Sequence, residues 1–204
     1  MRFSPSLFAL GIRHMPLRFH TPVLHTARLT LRPVERGDIP NVQREFGRWS
    51  IIRNMSTKCP WPYPRNGAEH WFLQTVLPRY ANKTGAMWAI AKKEQPDQLI
   101  GVIDIREDTG DGNRGFWMAE SQQRQGYMTE AVAVVNEWVF TKTKLKAVVA
   151  YNVASNIASR RVKEKTGCVY IRTVIQEYHS GEQSSEMWRL TKESWLRSKD
   201  DHQV

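Results

Sequence analysis

The residues best placed to do chemistry lie between Ser121 and Phe140, SQQRQGYMTEAVAVVNEWVF. From Met128, the apolar residues Ala131, Val132, Val135, Trp138 and Val139 recur at helical spacing. Gln123, Arg124, Gln125, Gly126 and Tyr127 form the polar entrance to that helix, without an acidic residue. The first N–H groups of a helix lack intrahelical acceptors and sit at the positive end of its dipole. The entrance is therefore expected to hold an anion such as a phosphate, with Gly126 permitting close approach and Arg124 adding a cation. The plainer alternative is a strand-to-helix turn that binds nothing.

These residues need a scaffold to hold them. Leu29 and Leu31 alternate with polar neighbours as in a half-buried strand that Pro33 ends. Asp38 is expected to cap a helix running to about Gly47, with Pro40 in its first turn. Residues 48–66 read as irregular, since Pro60, Pro62 and Pro64 alternate with Trp61 and Tyr63. Those aromatics either wall an acceptor pocket or cover the core. A helix is expected from about Asn66 to Tyr80, bent or ended by Pro78. Strand-like runs follow at Met87–Ala91, Leu99–Ile105 and Arg114–Ala119. Between the last two, Gly110 to Gly115 fits Gly-x-Gly-x-x-Gly letter for letter. A dinucleotide site would need a helix after it, whereas a strand follows, so an Asp-Gly hairpin turn is expected.

After the amphipathic helix come a buried strand, Lys146–Tyr151, and a helix started by Ser155 or Asn156 and closed by Gly167. Strands at Cys168–Ile175 and Met187–Leu190 flank a turn near His179. The element order suggests a single mixed α/β domain over residues 25–192. Residues 1–24 are expected to be a loosely attached extension and 193–204 a charged tail.

The chain has 204 residues and a formal net charge of +10, with the basic residues dispersed and no long basic block. Direct nucleic-acid binding is therefore not the favoured reading, although work near a ribosome would suit the charge. Cys59 and Cys168 give no disulfide framework, so a cytoplasmic location is expected. The His and Cys spacing predicts no metal site. No run approaches the roughly 18 to 20 apolar residues that cross a bilayer, so no membrane association is expected.

Gln123-x-x-Gly126-x-Met128 resembles the (Gln/Arg)-x-x-Gly-x-(Gly/Ala) signature of the GCN5-related N-acetyltransferases (GNAT). Met128 departs from the commoner Gly or Ala, and Gly-x-Met-Thr-Glu-Ala is similar to a variant in the branch that acetylates ribosomal-protein N-termini. Asn156-x-x-Ser159-x-Arg161-Val162-x-Glu164-Lys165-x-Gly167 resembles the family's second motif, with Cys168 where an aromatic is usual. The resemblance runs from about Thr26 to Leu190. It implies the acyl-CoA N-acyltransferase fold, an α/β (α+β) domain with a mostly antiparallel central sheet flanked by helices. It further implies that Gln123, Arg124, Gln125, Gly126, Tyr127 and Met128 hold the pyrophosphate of acetyl-coenzyme A (acetyl-CoA). Asn156 and Ser159 would contact the pantetheine arm, and the backbone of Phe116, Trp117 and Met118 would pair with it and with the thioester oxygen.

The reaction implied is direct acetyl transfer to a primary amine. It needs a base, an oxyanion donor and an acid for the leaving thiolate. The tyrosine often used as the acid is missing, and Lys163 occupies that area. Ser155 or Ser159 is the substitute, and Ser155 is similar to the serine of the ribosomal-protein branch. Glu177 is similar to that branch's base, or else is a solvated turn glutamate; Glu120 is a further carboxylate near the loop. The implied acceptor is a ribosomal or other protein N-terminus, or a small amine such as a polyamine, amino acid or aminoglycoside. A basic ribosome-binding module without the chemistry is the third reading. Homodimers are common in the family.

Overall fold

The computed structural model describes residues 18–107 and 112–200. Five antiparallel strands pair in chain order: β1 (Leu24–His25), β2 (Leu29–Pro33), β3 (Gly85–Lys92), β4 (Gln95–Arg106) and β5 (Arg114–Met118). A second antiparallel sheet has the order β6 (Ala147–Val153), β8 (Gly181–Thr191), β7 (Val169–Tyr178). Between the sheets runs α5 (Tyr127–Lys142), the crossover from β5 to β6. The expected hairpin between β4 and β5 is present, pairing Ile105 with Arg114 and Gly101 with Met118. Of the expected Asp111–Gly112 turn, Asp111 lies outside the described residues and Gly112 is left-handed at φ +81°.

Strand alternation divides the core in two. Trp88, Ile90, Ile103 and Ile105 face α5, where Ala131, Val132, Val135, Trp138 and Val139 are buried as the helical spacing requires. Met87, Ala89, Val102 and Trp117 face the other way, against α1 (Ile39–Phe46), α2 (Trp49–Ile52) and α3 (Gly67–Trp71).

Several expectations are corrected. Asp38 makes no side-chain cap on α1; its buried carboxylate instead pairs with Arg32 at 2.8 Å and accepts the Glu35 N–H at 2.8 Å. The segment 48–66, expected to be irregular throughout, contains the short α2. Pro78 does not end its helix. A π-helical turn, Phe72–Val76, shifts the hydrogen-bond register just before it, where proline's missing donor would break the ladder. The chain then continues as α4 (Leu77–Asn82). The segment expected to be a charged tail forms α7 (Lys192–Asp200), whose Trp195 is buried against Phe140 at 5.4 Å between ring centres. Within the expected extension, Phe19 is 2% exposed and joins the same core.

Among the described residues, Asn113 carries the hydrogen bonds that tie the backbone of β6 to the first sheet. Asn113 donates its N–H to Val149 O (2.9 Å) and its side-chain amide to Ala147 O (3.0 Å), and its Oδ1 accepts the Val149 N–H (2.7 Å). The side chain thus stands in for a strand partner, and β5 and β6 carry no ladder beyond it. Asn113→Ala would leave the buried Val149 N–H and the Ala147 carbonyl unpaired. We expect a loss of about 2 kcal/mol or more in urea unfolding, with the denaturant slope unchanged.

Candidate active site

Beyond Asn113 a groove of about 1,250 Å³ lies between β5 and β6. Its walls are Gly115–Met118 on one side and Tyr151–Val153 with α6 (Ile157–Lys165) on the other. Its end is closed by the loop from Gln122 to the start of α5. Gly126 is the N-cap of α5 at φ +81°, and Arg124 is also left-handed at φ +63°. The first helical hydrogen bond at this end runs from Glu130 N–H to Gly126 O. The amides of Tyr127, Met128 and Thr129 are therefore left for a groove ligand. Among the described residues, Arg53, Arg124, Arg161 and Lys165 line the groove against one carboxylate, Glu120. A long ligand with several phosphates fits this cradle in shape and charge.

The loop is held from behind by residues that the sequence reading did not single out. Arg28 donates to Gln125 O (3.0 Å), stacks over the Tyr127 ring (4.5 Å) and pairs with Glu130 (2.7 Å). Glu130 also accepts the Arg28 N–H and the Thr26 hydroxyl. Burial of this carboxyl opposes ionisation, but its hydrogen bonds from Thr26 and Arg28 hold its pKa below the ordinary value. Gln123 donates its side-chain amide to Met118 O (3.0 Å), tying the loop to β5.

The groove gathers all the candidate cofactor residues except Gln125, whose carbonyl is held by Arg28. The three β5 residues divide in role. Ala119 N–H donates to Ile100 O (2.8 Å), and ladder alternation then commits Trp117 to β4 and turns the backbone of Phe116 and Met118 towards the groove. Asn156 lines the groove but spends its side-chain oxygen capping α6, on the Ser159 N–H (3.1 Å). Ser155 and Ser159 both line the groove. Glu177 is not brought to it: the residue is exposed in β7, opposite Glu182, and lines neither cavity.

Lys163 is the unexpected neighbour. It is 1% exposed, donates to Ser159 Oγ (2.7 Å) and lies over the Phe116 ring (5.2 Å). Burial first, then the nearby Arg114 guanidinium, lowers its pKa to about 7, opposed by Cys168 and Glu186. Arg114 is itself buried, donating to Asn136 Oδ1 (2.9 Å) and to Cys168 Sγ (3.2 Å).

A second cavity, of about 740 Å³, opens on the opposite face of β5 and shares Met55, Gly115, Phe116 and Trp117 with the groove. The proline-rich loop supplies Pro60, Tyr63 and Pro64 to its wall, and α3 supplies His70 and Trp71. Tyr63 packs on Phe46 (5.5 Å), which packs on Trp117 (5.2 Å). Trp61 points elsewhere, 41% exposed against Trp49. The turn at His179 is tied to the loop through Cys59 O (2.6 Å) but does not line this cavity.

Two open sites meeting across one strand, with an anion cradle at a helix entrance, suit the transfer of a group between two substrates. The acetyltransferase (GNAT) domain model matches residues 28–169, more than half of the chain, and the protein belongs to that family of N-acetyltransferases. No curated protein matches. The chain is similar in structure to a ribosomal L7/L12 alpha-N-protein acetyltransferase in complex with coenzyme A, with a TM-score of 0.70 and 15% identity over 83% of this chain and 98% of that one. It is similar to the ribosomal-protein-S5-alanine acetyltransferase from Vibrio fischeri, with 0.70 and 16% over 85% and 98%. It is also similar to a spermidine N-acetyltransferase from Vibrio cholerae in complex with CoA and spermine, with 0.68 and 17% over 82% and 98%. At such identities the likeness carries the fold alone. Among the described residues no helix is long and apolar enough to cross a membrane.

The Lys163 ammonium makes stability depend on pH. Well below pH 7 folded and unfolded chains both hold its proton, and the cost of burial is full. Between pH 7 and the ordinary value of 10.5 the unfolded chain holds more protons, so stability climbs with pH. Lys163→Met should therefore be more stable than the parent by on the order of a few kcal/mol at pH 7. That gap should close towards pH 10 in denaturant titrations. A gap independent of pH would show that the amine is not the cause.

Proposed function

We propose that this protein transfers the acetyl group of acetyl-CoA to a primary amine, with the coenzyme in the groove and the acceptor in the cavity across β5. The observation that carries this reading is the meeting of the two sites at Gly115–Trp117, where β5 has an unpaired edge. The coenzyme supplies the activated thioester. The amides of Tyr127, Met128 and Thr129 hold its pyrophosphate, and Arg53, Arg124, Arg161 and Lys165 complement its phosphate charge.

The N–H groups of Phe116 and Met118, unpaired by β4, donate to the pantetheine arm and to the oxygen that gains charge during transfer. Ser159 gives its proton to the leaving thiolate, and the Lys163 ammonium, 2.7 Å behind it, resupplies that proton. Ser155 stands at the same wall as a further hydroxyl. Glu120, the one carboxylate lining the groove and held by the Ser50 hydroxyl at 3.0 Å, takes the proton of the amine. A protein N-terminus as acceptor, in a cytoplasmic setting near the ribosome, is the second reading, supported by the likeness to ribosomal-protein acetyltransferases.

Acetyl-CoA should raise the unfolding temperature of the parent in a dose-dependent way, since a ligand of the folded state stabilises it by mass action. Gly126→Glu should abolish the shift by blocking and repelling the pyrophosphate, although its φ of +81° strains any side chain. Arg161→Glu, on the exposed face of α6, reverses a groove charge without touching the loop and should weaken the shift. A folded parent indifferent to acetyl-CoA would sink this function.

A further inference from the structure

The cavity across β5 has a charge pattern that selects among acceptors. Strand alternation points Val102, Asp104 and Arg106 of β4 to this face, together with Gly115 and Trp117 of β5. Arg79 of α4 and Arg106 each donate from Nη1 to the same oxygen of Asp104, at 2.8 and 2.7 Å. Asp104 is the only carboxylate among the described residues of the lining, so two guanidiniums share one negative charge. The cluster sits directly over Gly115: a Cβ there would come within 2.6 Å of Asp104 Oδ1 and 3.7 Å of Arg106 Nη1. Glycine at this position leaves the charged groups open to the cavity.

The positive end lies over Gly115, at one end of the stretch that the groove and the cavity share, roughly 7 Å along β5 from its other end at Trp117. The space between is walled by Phe46, Tyr63, Trp71 and Trp117. Resting on the acetyl-transfer reading above, we infer that the acceptor is a small amine with an apolar, often aromatic, body and an anionic group. Its amine lies at the β5 junction, its body against the aromatic walls, and its anion on the Arg79–Asp104–Arg106 cluster. A polycation meets the opposite of what it needs here, because the sole carboxylate is already neutralised and the remaining charge repels it. The volume of about 740 Å³ is that of a small-molecule site.

The test uses the full chain with acetyl-CoA and four probes: 4-(aminomethyl)benzoate, its neutral amide, spermidine, and a short peptide with a free alanine N-terminus. CoA thiol release gives kcat/KM for each. The benzoate should exceed its amide by about tenfold or more, the return expected of charge-assisted pairing with a partly buried guanidinium, and should exceed spermidine further. Arg106→Gln keeps the Arg79–Asp104 pair and should bring the acid-to-amide ratio close to one, as should Arg79→Gln. An amide equal to the acid, or preference for spermidine or the peptide, overturns the inference. Acetylation of neither aromatic amine by a protein that acetyl-CoA stabilises also overturns it, while leaving the coenzyme reading intact. Absence of that stabilisation would instead remove the acetyl-transfer reading beneath it.

Discussion

The structure depends on the parting of β5 from β6. Two neighbouring strands ordinarily close their gap with backbone hydrogen bonds, and exposed edges invite pairing with other chains. Here Asn113 satisfies both backbone groups of Val149 and the Ala147 carbonyl at one end, so the strands are pinned there and separate afterwards. The gap leaves the Phe116 and Met118 amides without strand partners beside the entrance of α5. A ligand that completes those bonds is therefore held by backbone whose position the sheet already fixes, which lowers the ordering cost of binding.

The anion loop needs a second constraint, because its conformation is not a relaxed one. Arg124 is a non-glycine residue in the left-handed region, a placement costing on the order of 1 kcal/mol. Arg28 and Glu130 offset it by clamping the loop carbonyl, the Tyr127 ring and the first turn of α5 to the β1–β2 hairpin. The pair is partly exposed, with Arg28 at 49%, so solvent screens much of its Coulomb energy. Its value lies in geometry: three contacts of one guanidinium fix the backbone that must meet the anion.

Much of this was legible in the sequence because it follows from local rules. The spacing in α5 gives its buried face, Asn156 and Gly167 bracket α6, and a strand after the glycine-rich segment rules out a dinucleotide turn in favour of a hairpin. What was not legible depends on contacts across long sequence separations. Nothing in the residues near Asn113 shows that its amide serves a strand more than thirty residues later, or that Arg28 reaches a loop almost a hundred residues away. Trp195 looked like part of a charged tail because most residues around it are polar, yet it docks on Phe140, while Thr191 and Ser194 exchange hydrogen bonds at the start of the helix. Lys163 read only as the residue standing where a tyrosine is usual; its burial beside Arg114, which lowers the pKa of its amine, is visible only in the fold. Glu177 was left between a base and a solvated glutamate because its place, exposed in β7 opposite Glu182, depends on a register set by β8.

One strand then forms part of the wall of both cavities. In β5 the backbone alternates its hydrogen-bonding edge as the side chains alternate their faces. Residues 115 and 117 spend their amides on β4 and present a glycine gap and an indole to the acceptor cavity. Residues 116 and 118 spend nothing on β4 and present amides to the groove, with the Phe116 ring against Lys163. The cavity wall and the amides that face the groove are therefore one residue apart, on a short strand paired along its inner edge with β4. On the proposed reading, adjacent residues of one strand would set both reacting groups, so their spacing would be fixed by the strand itself.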